Sequence, residues 1–215
     1  MNQLIYKEWT LVITPVPLMF LALSGLLLIP SYPYFVTFFY TSLGIFLMMQ
    51  SARENNDLAF GMLLPVPKQA MVTARFSTVV TLQLLQLIAC VPFALIRASY
   101  SHVANPVGFE ANVSFFGVGL MLLALFNLTF FPMHYKNGYD LGKPFLLSAI
   151  YQFVFIAAAE TLSHIIPYLS AVCQSYAAAD QVKQLPLLAA GALIYAAGTY
   201  LAWYISIRRF ARVDL

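Results

Sequence analysis

Charge is the scarcest feature of this sequence. Only 9% of its residues are Asp, Glu, Lys or Arg, where a soluble domain averages about 25%. With 61% hydrophobic residues and a mean hydropathy of +0.80, that shortage excludes an ordinary soluble fold. No lysine- or arginine-rich face with interleaved aromatics occurs, which excludes a nucleic-acid partner. The two cysteines, Cys90 and Cys173, fall in a span and in an outer loop, so they suggest no disulfide framework. A cleavable signal peptide is not expected: Glu8 comes early, and no small-residue cleavage site follows a short apolar core.

Catalytic patterns are missing too. There is no HExxH zinc helix and no G-x-S-x-G elbow. The segment from Gly138 through Gly142 and Lys143 to Pro144 approaches a phosphate loop. It has three residues between its glycines where four are needed, and Pro144 stands where Ser or Thr would hold magnesium. His102 and His134 are expected in loops on opposite sides, so they cannot share a metal. The chain is therefore read as no enzyme and as holding no cofactor or metal. Any ATP and magnesium it depends on must be bound by another chain.

What the sequence does have is long uncharged runs. Trp9 to Ala52 is 44 residues without a charge, and shorter runs cover Phe76–Ile96, Ala111–Tyr135, Pro144–Ala159, Thr161–Ala179 and Gln184–Ile207. A membrane-crossing helix needs about 20 apolar residues. The first run holds two spans, and none alternates as a barrel strand would. The expected fold is an all-α membrane protein, one transmembrane domain over residues 1–215. Its six transmembrane helices are placed near 12–29, 34–50, 71–95, 113–131, 145–160 and 185–207. Residues 1–11 read as an interfacial helix carrying Tyr6 and Trp9, or as a frayed start of the first span. Pro92 is expected to kink span 3. Alanines and glycines between Ala189 and Gly198 suggest close helix contact, within one chain or between two.

Six spans put both termini on one side. Nine of the eleven basic residues then fall on that side, with only Arg97 and Lys183 on the other. By the positive-inside rule the termini are cytoplasmic.

Glu160 and His164 are four residues apart, on one helix face. A carboxylate deep in lipid costs roughly 2.5–3.5 kcal/mol or more, so it faces protein or water. One reading is a substrate or proton path, which would make the chain a proton-coupled secondary transporter. The other ends the helix near Glu160 and makes residues 161–179 short re-entrant helices; Pro167 and the polar residues after it favour this one. Gln83, Gln86, Asn127 and Gln152 read as interhelical hydrogen-bonding groups, with Gln152 also near the possible path.

Arg53 to Arg75 is the longest polar interruption in the first half. Asn55, Asn56 and Asp57 are good helix caps, and Glu54 and Asp57 suit the positive end of a helix dipole. Leu58, Phe60, Gly61, Leu63 and Leu64 form an apolar patch that Pro65 and Pro67 end. A capped helix of about two turns follows, far too short to span. It lies on the bilayer surface or inserts into a groove on a partner, and Gly61 would let a partner backbone approach.

At these residues the chain resembles a family. Leu64-Pro65-Val66-Pro67-Lys68 followed by Ala74-Arg75 is similar to the segment after the second span of bacterial ABC-2 type transporter permeases. Phe131 to Tyr139, including Tyr135, Lys136, Gly138 and Tyr139, resembles their loop between spans 4 and 5, with Asn137 replacing an apolar residue. Leu4 to Glu8 and Ser206 to Leu215 resemble the two ends. The resemblance implies a half-transporter in the bacterial cell membrane. Two identical or related permeases would pair and bind two cytoplasmic ATPase subunits. The short helix between spans 2 and 3 would be the coupling helix, with Glu54, Asn56, Asp57, Leu58, Phe60, Gly61, Leu63, Leu64, Pro65 and Lys68 meeting the ATPase, the 4–5 loop a second contact, and the region between spans 5 and 6 re-entrant. Exporters of amphipathic peptides, including phenol-soluble modulins, bacitracin and lantibiotics, are closest in type. A membrane scaffold without transport is a further alternative; its extramembrane parts are too small for a signalling domain.

Overall fold

The computed structural model describes residues 2–13, 15–100, 105, 108–137, 139–166, 173, 175–176 and 178–213. Among them the secondary structure is helical. α1 (Asn2–Lys7) continues as a π-helix over Glu8–Val12, and α2 (Pro15–Leu21) tightens into a 3-10 helix over Ala22–Leu28. Then follow α3 (Val36–Glu54), α4 (Asp57–Leu63), α5 (Lys68–Tyr100), α6 (Val113–Asn137), α7 (Gly142–Ile165) and α8 (Ala178–Phe210).

Four of these are long and apolar enough to cross a membrane: α5, α6, α7 and α8. A fifth arises if the bent pair Gln3–Thr10 and Pro15–Leu28, whose axes meet at 78°, is one span. α3 is not among them: at 19 residues, any span-length stretch of it takes in Arg53, and Gln50, Thr37, Tyr40, Thr41 and Ser42 lower its hydropathy further. The count of four to five is thus lower than the six read from uncharged runs.

α6 is the central post. Of its most apolar stretch 67% is buried, against 17% for α7. Its start is fixed by Asn112, whose Oδ1 accepts the N–H groups of Ser114 and Phe115 at 3.1 and 3.3 Å. α6 does not stop at Phe131 but runs through Pro132 to Asn137, because Phe130, Phe131, His134 and Tyr135 are all buried there. His134 is accordingly a helix residue rather than a loop residue. α8 packs most extensively on α6. Gly191 meets Gly117 backbone to backbone, so this part of the small-residue cluster serves contact within the chain.

Polar groups inside the bundle pair across helices. Gln83 and Asn127 exchange two hydrogen bonds of 2.9 and 3.0 Å. Tyr195 donates to Gln83 at 2.7 Å, and Asn127 donates to Thr199 at 3.0 Å. This clamps α5, α6 and α8 together. Gln86 donates to Ser24 Oγ at 2.8 Å, and Gln152 to Ser42 Oγ at 2.9 Å. These amides hold helices together, as read from the sequence.

Candidate functional site

α4 grows from a turn that ends one helix and starts the next. The N–H groups of Asn55 and Asn56 bond the carbonyls of Ser51 and Arg53, both at 3.0 Å, and close α3. Asn56 then adopts left-handed angles, φ 53° and ψ 32°, which asparagine tolerates better than most residues. Its carbonyl accepts Phe60 N–H at 2.9 Å and opens α4. No side chain caps this start. Asp57 is drawn instead to two cations, 2.5 Å from Lys7 Nζ and 2.6 Å from Arg75 Nη2. At the far end Leu64 is extended before Pro65, as sterics before proline require.

The helix has two faces. Leu58 and Met62 pack onto a core that includes Met48, Val72 and Phe131. Gly61 is buried with them: a Cβ there would lie 2.3 Å from Met71 Cε, so this glycine admits α5 rather than a partner. The other face carries Phe60, 53% exposed, and Leu63, 84% exposed. Three residues apart, they share one side of the helix. Glu54, Asn56 and Pro65 are exposed around them, and Leu64 is half-buried. Lys68 turns to the C-terminal segment, donating to Val213 O at 2.6 Å.

Beneath α4 lies a buried ionic cluster. Arg75, 6% exposed, reaches from α5 to Glu8, 4% exposed, in the N-terminal segment. Its Nε donates to Glu8 Oε2 and its Nη2 to Glu8 Oε1 at 3.2 Å. The same guanidinium meets Asp57 on α4 and Met49 Sδ on α3, the latter at 3.0 Å. Two cations and two carboxylates balance, as buried charge requires. The adjoining cavity is about 30 Å³, bordered by Met49, His134 and Tyr135. That holds roughly one or two waters and no larger ligand.

The expected second contact divides. Lys136 and Tyr139 are exposed, and Arg53 Nη1, in the last turn of α3, donates to Tyr139 O at 3.5 Å. Tyr135 is buried, edge-on to Phe210 at 5.3 Å, and belongs to the core. Gly138 lies outside the described residues.

Glu160 and Gln152 are not brought together with α4. The helix does not end near Glu160; α7 continues to Ile165. The Glu160 carboxylate accepts Phe109 N–H at 3.1 Å and packs on Gly108. His164 is exposed. Residues 167–172, 174 and 177 of the stretch expected to be re-entrant lie outside the described residues. At this same end Glu110 is buried, accepting from Tyr176 Oη at 2.8 Å with Arg97 Nε at 3.8 Å. Burial and the adjacent carboxylate push the Tyr176 phenol up.

Sequence reasoning missed Glu8, Lys7 and Arg75 as one site. A signal was available: Arg75 sits about 10 Å into a membrane-length helix, where an arginine needs a carboxylate.

A multi-pass helical bundle with a short helix packed at one end defines a membrane component. The profile of the family described as ABC-2 family transporter protein matches residues 3–211, and the chain belongs to that family. It is a membrane permease of the ABC transporter type, whose working partners are ABC ATPases. No curated protein and no solved structure matches the chain.

Proposed function

We propose that this chain is the membrane subunit of an ATP-driven exporter and that α4 is its seat on a separate ATPase. The observation that carries this is the exposed pair Phe60 and Leu63 on an otherwise anchored helix. Helices that present apolar side chains to a protein groove do so at this spacing. Lys136 and Tyr139, exposed at and just beyond the end of α6, are assigned to the rim of this contact.

Six spans with both termini in the cytoplasm complete the reading. α3 supplies the missing span: its 19 residues reach roughly 28 Å, close to the hydrocarbon thickness. Nine of eleven basic residues then face the cytoplasm. Gln83, Asn127, Tyr195 and Thr199 close the middle of the single bundle. A translocation path therefore forms between two permeases, identical or related, above two ATPases. ATP closes the ATPases, the paired α4 helices approach, and the spans rearrange outward. Amphipathic peptides are the proposed cargo, following the resemblance to peptide exporters. For the proton-coupled alternative, Glu160 is poorly placed, since it is tied to the Phe109 backbone.

The test is copurification with the ATPase. Phe60→Asp combined with Leu63→Asp should leave the permease inserted and monodisperse while abolishing ATPase capture. Normal capture and normal ATPase stimulation by that variant would sink the reading.

A further inference from the structure

Three segments separated in sequence meet at one guanidinium. Arg75 holds the Glu8 carboxylate with two of its nitrogens and Asp57 Oδ2 with Nη2 at 2.6 Å. Lys7 Nζ closes the ring on Asp57 Oδ1 at 2.5 Å. Asp57 is the first residue of α4, Arg75 lies in α5, and Lys7 and Glu8 are at the junction of α1 and its π-helical continuation. The ionic side chains are nearly out of solvent, at 5–14% exposure. Charge pairs so placed are little screened by salt. A planar guanidinium also fixes direction as well as distance, which a lysine ammonium does not. The exposed side chains of α4, Phe60 and Leu63, lie on its other face. Asp57, three residues before Phe60 and bordering the same cavity, sits at the edge of that surface, with its carboxylate turned inward to Lys7 and Arg75.

We propose that Arg75, gripping Asp57 and Glu8 together, is the positioning residue that passes movement of α4 to α5 and to the N-terminal segment. The cluster rests on the reading of α4 as the ATPase seat, but it is distinct from the contact itself. α4 has only two turns and is joined to α3 and α5 by short turns rich in asparagine and proline. Its push on the bundle passes through what its inner face holds. The apolar contacts there can slide, whereas the ionic fork cannot without separating buried charges. Arg75 therefore makes α4, the start of α5 and the N-terminal segment one moving body.

The experiment uses the full-length permease with its ATPase in lipid nanodiscs, read in two ways. Asp57→Asn and Glu8→Gln should each keep ATPase affinity and lose permease-dependent stimulation of ATP hydrolysis by at least about fivefold, the lower end of typical coupling. Arg75→Lys, which keeps the charge but loses the fork, should show the same split. Loss of ATPase binding by Asp57→Asn would make Asp57 a partner contact and overturn the proposal, as would full stimulation in all three variants. Spin labels on an otherwise native cluster cover the case where variants fail to fold. With labels at Tyr6, Ala59 and Tyr151, ATP should change Ala59–Tyr151 and Tyr6–Tyr151 distances while Tyr6–Ala59 stays constant. A changing Tyr6–Ala59 distance would overturn the proposal. Failure of the underlying reading looks different: the Phe60→Asp/Leu63→Asp variant would then bind the ATPase normally.

Discussion

The carboxylate of Glu160 accepts the backbone N–H of Phe109 at 3.1 Å, and Gly108 makes the room for it. A Cβ on residue 108 would lie 1.5 Å from Glu160 Oε2. Gly108→Ala should therefore displace Glu160 and destabilise the fold by about 1–3 kcal/mol. Glu160→Ala should cost a similar amount, and the double variant less than the sum. Thermal unfolding in detergent checks this. Strict additivity would mean that the two residues do not meet.

The two faces of α4 should respond differently. Leu63→Ala should leave the stability of the isolated permease within about 0.5 kcal/mol, as exposed substitutions do. It should weaken ATPase binding all the same. Gly61→Val should do the reverse, overfilling the space of Met71 at a cost of roughly 1–3 kcal/mol. Unfolding and ATPase titration on the same preparations separate the two effects.

The interhelical clamp offers a third check. Asn127→Leu strips Gln83 of both its amide exchange bonds. Interhelical hydrogen bonds in membrane proteins are worth about 0.6–2 kcal/mol, so a loss of that order is expected. Adding Gln83→Leu with Tyr195→Phe should restore part of it, because neither the amide nor the hydroxyl that donates to it is then left half-paired. Reversible unfolding in mixed micelles measures both.

Sidedness is directly testable. Cysteines introduced at Ala59, Tyr139 and Ala211 should react with a membrane-impermeant maleimide only after permeabilisation of cells. A cysteine at Lys183 should react without it. Labelling of Ala59 and Lys183 from the same side would break the six-span arrangement.

Much of this architecture is legible in the sequence. Uncharged runs locate α5 to α8 within a few residues at most ends, and Pro65 and Pro67 mark the end of α4. The exposed Phe60 and Leu63 also come from a readable patch. What misleads is local chemistry judged without its tertiary partners. Asp57 looks like a helix cap, yet Lys7 and Arg75 offer it more than its own backbone N–H groups. Gly61 looks like an opening for a partner, yet Met71 fills it. Tyr135 carries a loop motif, yet α6 extends far enough to bury it against Phe210. α3 shows the opposite difficulty. Its hydroxyls are buried against the bundle, and hydropathy alone then undervalues it as a span.

α5 is one unbroken helix of 33 residues, a rod of about 50 Å. Arg75 grips it near one end, Gln83 and Gln86 brace its middle, and Arg97 meets Glu110 near the other. Pro92 has no N–H to give the Ile88 carbonyl, so the rod has one soft joint. Leverage applied below that joint turns the braced part as a unit. Beyond it the far end, held to Glu110 through Arg97, can pivot with the segment before α6, so the two ends of α5 need not move by equal amounts.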